Sequence, residues 1–230
     1  LKSLVTNGYR ELNHLQNAVE NRSGQMKVAV LGGTGMVGSR IVAELAARGH
    51  QVTSVSRQQA AAYPDGVLAI TADATDPVAV AALAATQDVV VSAIGPSREP
   101  GGDPGSFAGT LTALAEAVSP TRLAVVGGAG SLLAAPGVRL IDTPEFPELY
   151  KAEAVAAADS LQALIALGLT SQWTYLSPAP VIAPGERTGS YRTADDSPAG
   201  DFISAEDFAV AMVDEIETPT HDGRRFTVAH

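Results

Sequence analysis

The sequence contains no cysteine in 230 residues. Disulfides, thiolate nucleophiles and cysteine-based metal sites are therefore excluded together. A chain without thiols fits a reducing compartment. The four histidines, at 14, 50, 221 and 230, show no metal-ligand spacing and read as peripheral, so no metal site is expected. Long apolar runs are missing too: none approaches the roughly 20 residues that span a bilayer. Residues 1–25 have no continuous apolar stretch of signal-peptide type. Positive charge is scarce, with 15 Lys and Arg against 25 Asp and Glu, a net charge of −10. Such a surface repels nucleic acid and anionic membrane, and neither is an expected partner. A local basic pocket for one phosphate stays compatible with it. The expectation is a soluble cytoplasmic protein whose partner is a small molecule.

Hydrophobic residues make up 46% of the chain, enough for a sizeable core without covalent staples. The first 25 residues differ from the rest. They hold four asparagines, and only Leu12, Leu15 and Val19 could form a short helical face. The compact domain is expected to begin at Met26 and run to 230. Residues 1–25 read as an N-terminal extension, with a partner-binding helix as the alternative.

From Met26 onward, strand and helix patterns alternate. Short β-branched runs predict strands at 27–31, 51–56, 67–70, 88–94, 122–128, 171–178 and 224–229. Helical periodicity predicts helices at 36–49, 76–86, 106–118, 147–168 and 204–217. Asp76 followed by Pro77 reads as an N-cap with proline at the first helical position. Ser204 with Asp207 three residues on reads as a variant capping box. Gly49 and Gly168 read as helix stops. This alternation predicts one α/β domain, a Rossmann-type doubly wound parallel sheet. Loops 95–105 and 178–203 are expected to wall a substrate cleft, because ligands bind beyond the carboxyl ends of such strands.

The stretch "VLGGTGMVGSR" sets Gly32, Gly35 and Gly38 between the first strand and first helix. Glycine is needed there to turn the chain, to admit a pyrophosphate against backbone, and to pack helix on strand. The helix start then offers unpaired N–H groups to the anion. Strand, glycines and helix in that order predict dinucleotide binding. The second strand ends at Ser56 and Arg57, with no acid to bond a ribose 2′-hydroxyl. An arginine there can pair with a 2′-phosphate, so NADP(H) is favoured over NAD(H). The alternative is a solvated surface arginine.

These features resemble the atypical short-chain dehydrogenase/reductase superfamily, in particular its NAD(P)H-binding subgroup of NADH-flavin-reductase type, related to biliverdin reductase B. The resemblance runs from Met26 to the C-terminus. It is carried by "GGTGMVGSR", "ADATDP", "SAIGP", "VVGGAGSL", "DTPEFPELYKAEA", "WTYLSPA", "PGERTGSYR" and "ISAEDFAVAMVDE". It implies that Thr34, Gly35, Met36 and Val37 line the pyrophosphate and that Asp73 and Ala74 sit beside the adenine. Ala93, Ile94 and Gly95 would cover the ribose and pyrophosphate. Gly128 and Ala129 would lie near the nicotinamide, with Ser131 close by, and Pro178 and Ala179 would touch it.

Ordinary carbonyl reduction needs a positioned acid. In many reductases of this kind a helix carries Tyr-x-x-x-Lys. Here the residues four after Tyr9, Tyr63, Tyr150, Tyr175 and Tyr191 are Asn13, Val67, Ala154, Ala179 and Asp195. Alcohol–ketone chemistry is therefore disfavoured. Hydride transfer to a flavin or quinone-like acceptor is favoured, since its product can take a proton from water and the protein supplies proximity. Candidate catalytic residues are Tyr150, Lys151 and Ser131. Tyr150 could stack on a ring or simply pack, and Lys151 could meet the ligand or solvent. Trp173 reads as strand core. Arg187 and Arg192 could bind an anionic substrate or lie in solvent. A non-catalytic NADP(H) sensor is the alternative to an enzyme.

Overall fold

Four consecutive apolar residues in a strand need cover on both faces, and this sheet provides it. The computed structural model describes residues 24–97, 102–169 and 172–230. Nearly all of the expected extension, with Leu12, Leu15 and Val19, lies outside the described residues, as does part of the 95–105 loop.

The elements in chain order are β1 (Lys27–Leu31), α1 (Met36–Ala47), β2 (Gln51–Ser56), β3 (Leu68–Thr71), α2 (Pro77–Ala84) and β4 (Val89–Ser92). Next come α3 (Phe107–Val118), β5 (Arg122–Val126), β6 (Leu133–Ala135), β7 (Val138–Arg139) and α4 (Lys151–Ala166). The chain closes with β8 (Trp173–Ser177), β9 (Val181–Ala183), β10 (Arg192–Ala194), β11 (Phe202–Ser204), α5 (Ala205–Glu217) and β12 (Arg224–Ala229). The main sheet runs β10-β12-β8-β5-β4-β1-β2-β3. Its pairings are parallel except β10 against β12. Strand order reverses between β1 and β4, which is where such sheets open a ligand crevice.

Alternation along the strands divides the core. Val28, Val30, Val89 and Val91 face α1 and α5, packing on Ile41, Leu45, Phe208 and Met212. Ala29, Leu31, Val90 and Tyr175 face the other way, with Leu111 and Leu114 of α3 and Leu161 and Leu164 of α4. Each fully buried side chain of this size contributes about 1.5–3 kcal/mol. Trp173 belongs to this second cluster and is 4% exposed, as its strand position predicts.

The predicted N-cap at Asp76 and the helix stops at Gly49 and Gly168 are present. Asp76 accepts from the N–H groups of Val78 and Ala79. Gly49 and Gly168 hold positive φ just beyond their helices. Two differences have physical causes. The 147–168 helix begins only at Lys151, since residues 148–150 form a 3-10 turn after Pro147. Proline fixes its own φ and cannot join the ladder as a donor. The 133–139 hairpin and the short strands within 178–203 have too few residues to show a period.

Candidate active site

Two glycines draw the start of α1 against the sheet. Gly32 has φ +83°, and a Cβ there would lie 2.7 Å from the Ala93 carbonyl oxygen. A Cβ on Gly38 would lie 2.2 Å from the Gly32 carbonyl oxygen. Helix, turn and the exit of β4 therefore touch backbone to backbone. Gly35 plays a different part. It is the N-cap of α1 and supplies no side-chain acceptor, so the first-turn N–H groups of Met36, Val37 and Gly38 keep their donor capacity. Thr34, Gly35 and Met36 are exposed around that helix end. Donors converging at a helix start suit an anion. Gly33 was not among the three glycines expected to matter, yet a Cβ there would sit 2.2 Å from the Ser54 hydroxyl.

Beside this cradle, Ser56 ends β2 with its hydroxyl buried and donating to the Gln58 carbonyl (2.7 Å). Arg57 follows, exposed. The Ala72 N–H donates to the Ser56 carbonyl (3.2 Å), which sets Asp73 beside Arg57 across two strand ends. The Asp73 carboxylate accepts from the Thr75 N–H (2.9 Å) and hydroxyl (2.8 Å). These bonds, with the nearby Arg57 charge, hold its pKa below the usual carboxylate range. Ala74 is buried in the second core cluster. Ala93 and Ile94 are half-buried and Gly95 is exposed at the exit of β4.

On the other side of the crevice the 127–130 loop lies tight on α4 and β8. A Cβ on Gly127 would meet the Tyr175 ring at 2.0 Å. The Tyr175 hydroxyl donates to the Ala157 carbonyl (3.1 Å) and accepts from the Gly128 N–H (3.4 Å). Burial pushes its pKa up. A Cβ on Gly130 would lie 2.9 Å from the Ala154 Cβ. Ala154 is the residue four after Tyr150, so where a catalytic lysine would stand the helix is packed against loop backbone. Tyr150 is 55% exposed at the start of α4. The Lys151 ammonium lies 3.7 Å from Glu148 on the surface. Ser131, close along the chain to Ala129, is buried and accepts from the Arg225 guanidinium (2.9 Å), which also pairs with Asp196. Ala179 is wholly buried, and the Pro178 carbonyl accepts from the Thr227 hydroxyl (3.4 Å).

The sequence profile of a family described as NAD(P)H-binding matches residues 32–219. The chain belongs to that family. An uncharacterised protein of Bacillus subtilis (strain 168), YwnB, is 38% identical over 218 residues, covering 88% of this chain and 98% of that protein. A Streptococcus pneumoniae structure provisionally named an NADH-flavin reductase is 32% identical, with a TM-score of 0.80 over 89% of this chain and 99% of that one. A Burkholderia pseudomallei structure provisionally named an exported protein is 43% identical, with a TM-score of 0.79 over 90% and 100%. The chain is thus similar to a protein named for NADH-flavin reduction within this NAD(P)H-binding family, and it has an oxidoreductase-like fold. A nicotinamide dinucleotide fits the cradle, because its pyrophosphate is the anion that an uncapped helix start and close backbone can receive. Among the described residues, no helix is long and apolar enough to cross a membrane.

Several polar residues that looked available in the sequence are committed elsewhere. Arg187 forms a two-pronged pair with Glu44 (both 2.8 Å), and Arg192 donates to the His230 carbonyl. His50 is buried rather than peripheral, whereas His221 is partly buried and His230 is exposed. The His50 ring bonds Glu217 (2.9 Å), that of His221 stacks on Phe226, and that of His230 bonds Asp207 (2.9 Å). Asp207 does not complete a capping box. Ser204 accepts from the Asp207 N–H (3.0 Å), but the Asp207 carboxylate turns to the Thr188 and Gly189 N–H groups and His230. Glu206 accepts from the Gly185 N–H (2.7 Å) and pairs with Arg40 of α1. The first turn of α5 thus anchors the 185–189 loop beside α1, a role only the Ser-x-x-Asp spacing hinted at.

Proposed function

We propose that this protein is an NADPH-dependent oxidoreductase that delivers hydride to a flavin or quinone-like acceptor. The observation that carries the reading is a nucleotide cradle beside a site with no positioned proton donor among the described residues. Tyr175 is locked between Ala157 and Gly128, and Ala154 stands where a helper lysine would be. When bound, a reduced nicotinamide supplies the hydride. The chain's own residues bind and orient it. The N–H groups of Met36, Val37 and Gly38 face the pyrophosphate, with Thr34, Gly35 and Gly32 shaping the turn. Asp73 and Ala74 flank the adenine, and Arg57 receives the 2′-phosphate while Ser56, its hydroxyl bonded to the Gln58 carbonyl, shapes the turn that presents it. Ala93, Ile94 and Gly95 cover the middle of the dinucleotide; Gly128, Ala129 and Pro178 bound the nicotinamide, with the wholly buried Ala179 packing behind Pro178 in the core. Residues 95–97 and 102–105, with loop 178–203, wall the acceptor cleft, and proximity rather than acid catalysis supplies most of the rate. We place the reaction in the cytoplasm.

Oxidation of NADPH, followed at saturating FMN, FAD or a quinone, tests the enzyme reading. Turnover with at least one acceptor is expected; tight NADPH binding with no turnover on any would leave the sensor reading. That alternative draws on Ser131 being bonded to Arg225 and Lys151 lying beside Glu148. Arg57→Ala should reduce the NADPH-over-NADH preference about tenfold, the worth of a charge-assisted hydrogen bond. An unchanged ratio would remove Arg57 from the cofactor site. Lys151→Ala should leave stability within about 0.5 kcal/mol, because exposed ion pairs contribute little. Urea unfolding checks that, and any loss of turnover in the variant then reports contact with the ligand.

A further inference from the structure

The end of β2 presents a cation and the end of β3 an anion, side by side. β2 and β3 pair in parallel register, with Ser56 opposite Thr71, and the Ala72 N–H closes the ladder onto the Ser56 carbonyl. Arg57 and Asp73 are the next residues beyond that closure. Asp73 is not free to swing away, because Thr75 holds its carboxylate through both its N–H and its hydroxyl. The carboxylate is therefore fixed where a group bound to Arg57 must feel it. We propose that Asp73 limits cofactor discrimination: it opposes a 2′-phosphate at Arg57, so the site takes NADPH with a moderate preference and still accepts NADH.

The inference rests on the proposed dinucleotide site and deepens it. The physical balance is simple. A 2′-phosphate brings up to two negative charges, which gain from Arg57 and lose against Asp73. NADH brings a hydroxyl there and is nearly indifferent to both. Asp73 is exposed, so the opposition acts through partly solvated space and is screened by salt. It should be modest at physiological ionic strength and larger at low salt.

The test is direct titration of NADPH and NADH binding to the full chain, read by protein or nicotinamide fluorescence. Asp73→Asn removes the charge but keeps an oxygen for the Thr75 donors. It should raise the NADPH-to-NADH affinity ratio about fivefold near 0.01 M salt, where the Debye length is about 30 Å. The gain should shrink to below about twofold near 1 M salt, where that length is about 3 Å. Asp73→Ser, which also keeps an oxygen for the turn, should move the ratio the same way. If both variants leave the ratio unchanged while NADPH still binds, Asp73 has no such role and the site reading stands. If both affinities fall together, Asp73 serves the turn alone and the inference is overturned. If neither nucleotide binds even the wild-type chain, it is the dinucleotide reading that fails.

Discussion

Gly38→Ala is expected to cost at least about tenfold in nucleotide affinity and, by displacing bound cofactor by even about 1 Å, up to about a hundredfold in turnover. Helix propensity alone argues the opposite, since alanine is favoured over glycine by about 1 kcal/mol within a helix. Packing decides the matter. The added methyl would sit 2.2 Å from the Gly32 carbonyl oxygen, 3.0 Å from its carbon and 3.2 Å from the Ala93 Cβ. The nearest atoms are backbone, so they cannot rotate out of the way. Either α1 withdraws from the sheet or the 32–34 turn moves, and both shift the N–H groups meant for the pyrophosphate. Stability should fall by about 1–3 kcal/mol, the usual cost of overpacking. Gly49→Asn is the control. Gly49 has φ +84° with nothing within 4 Å of a Cβ, so asparagine there perturbs the helix end without touching the cradle. Isothermal titration of NADPH separates the two. Wild-type affinity in Gly38→Ala would show that the cradle does not bind the nucleotide.

Local signals in the sequence carried the architecture because each acts over a few residues. Asp76 reaches only to Val78 and Ala79, and Gly32 turns the chain where it stands. The continuous apolar run 27–31 marked a strand buried on both faces, but only the structure shows that Val30 and Leu31 face different helix layers. The interactions that shape the crevice are of another kind. Arg40 meets Glu206, and Arg187 meets Glu44, across separations of 166 and 143 residues. No spacing rule reaches that far, so an arginine destined for a carboxylate looks the same as one awaiting a substrate. Ser131 and Tyr175 show the same blindness. A serine in a glycine-rich loop and a tyrosine in a strand read as chemistry or as packing until Arg225, Ala157 and Gly128 are placed around them. The peripheral reading failed at His50 for a related reason. Absence of metal spacing says nothing about burial, and His50 is buried between the Met26 N–H and Glu217.

Glu215→Ala should destabilise the fold by about 3 kcal/mol, because it leaves the buried Arg122 with only the partly exposed Asp222, 3.7 Å away, as a charged partner. Arg122 starts β5, is 6% exposed, and donates to the carbonyls of Glu215 and Ile216 as well as to the Glu215 carboxylate (3.2 Å). The same carboxylate takes the N–H groups of Thr220 and His221 and the His221 ring. It therefore ties the end of α5 to the amino ends of β5 and β8, at the opposite end of the strands from the α1 cradle. Burial alone would raise its pKa, but the bonds from His221 and Thr220 outweigh burial and hold it low. A lowered folded pKa stabilises the native state at pH above the unfolded carboxyl value of about 4.3, and this is lost as pH falls through the folded value. Urea midpoints of wild type and Glu215→Gln should thus differ most above the unfolded carboxyl value of about 4.3 and converge as pH falls through the lowered folded value. Equal midpoints at neutral pH would mean that Arg122 is satisfied without Glu215. Nucleotide affinity, measured well below each transition, should stay near wild type, since this latch holds the end of α5 opposite to the turn that anchors the 185–189 loop.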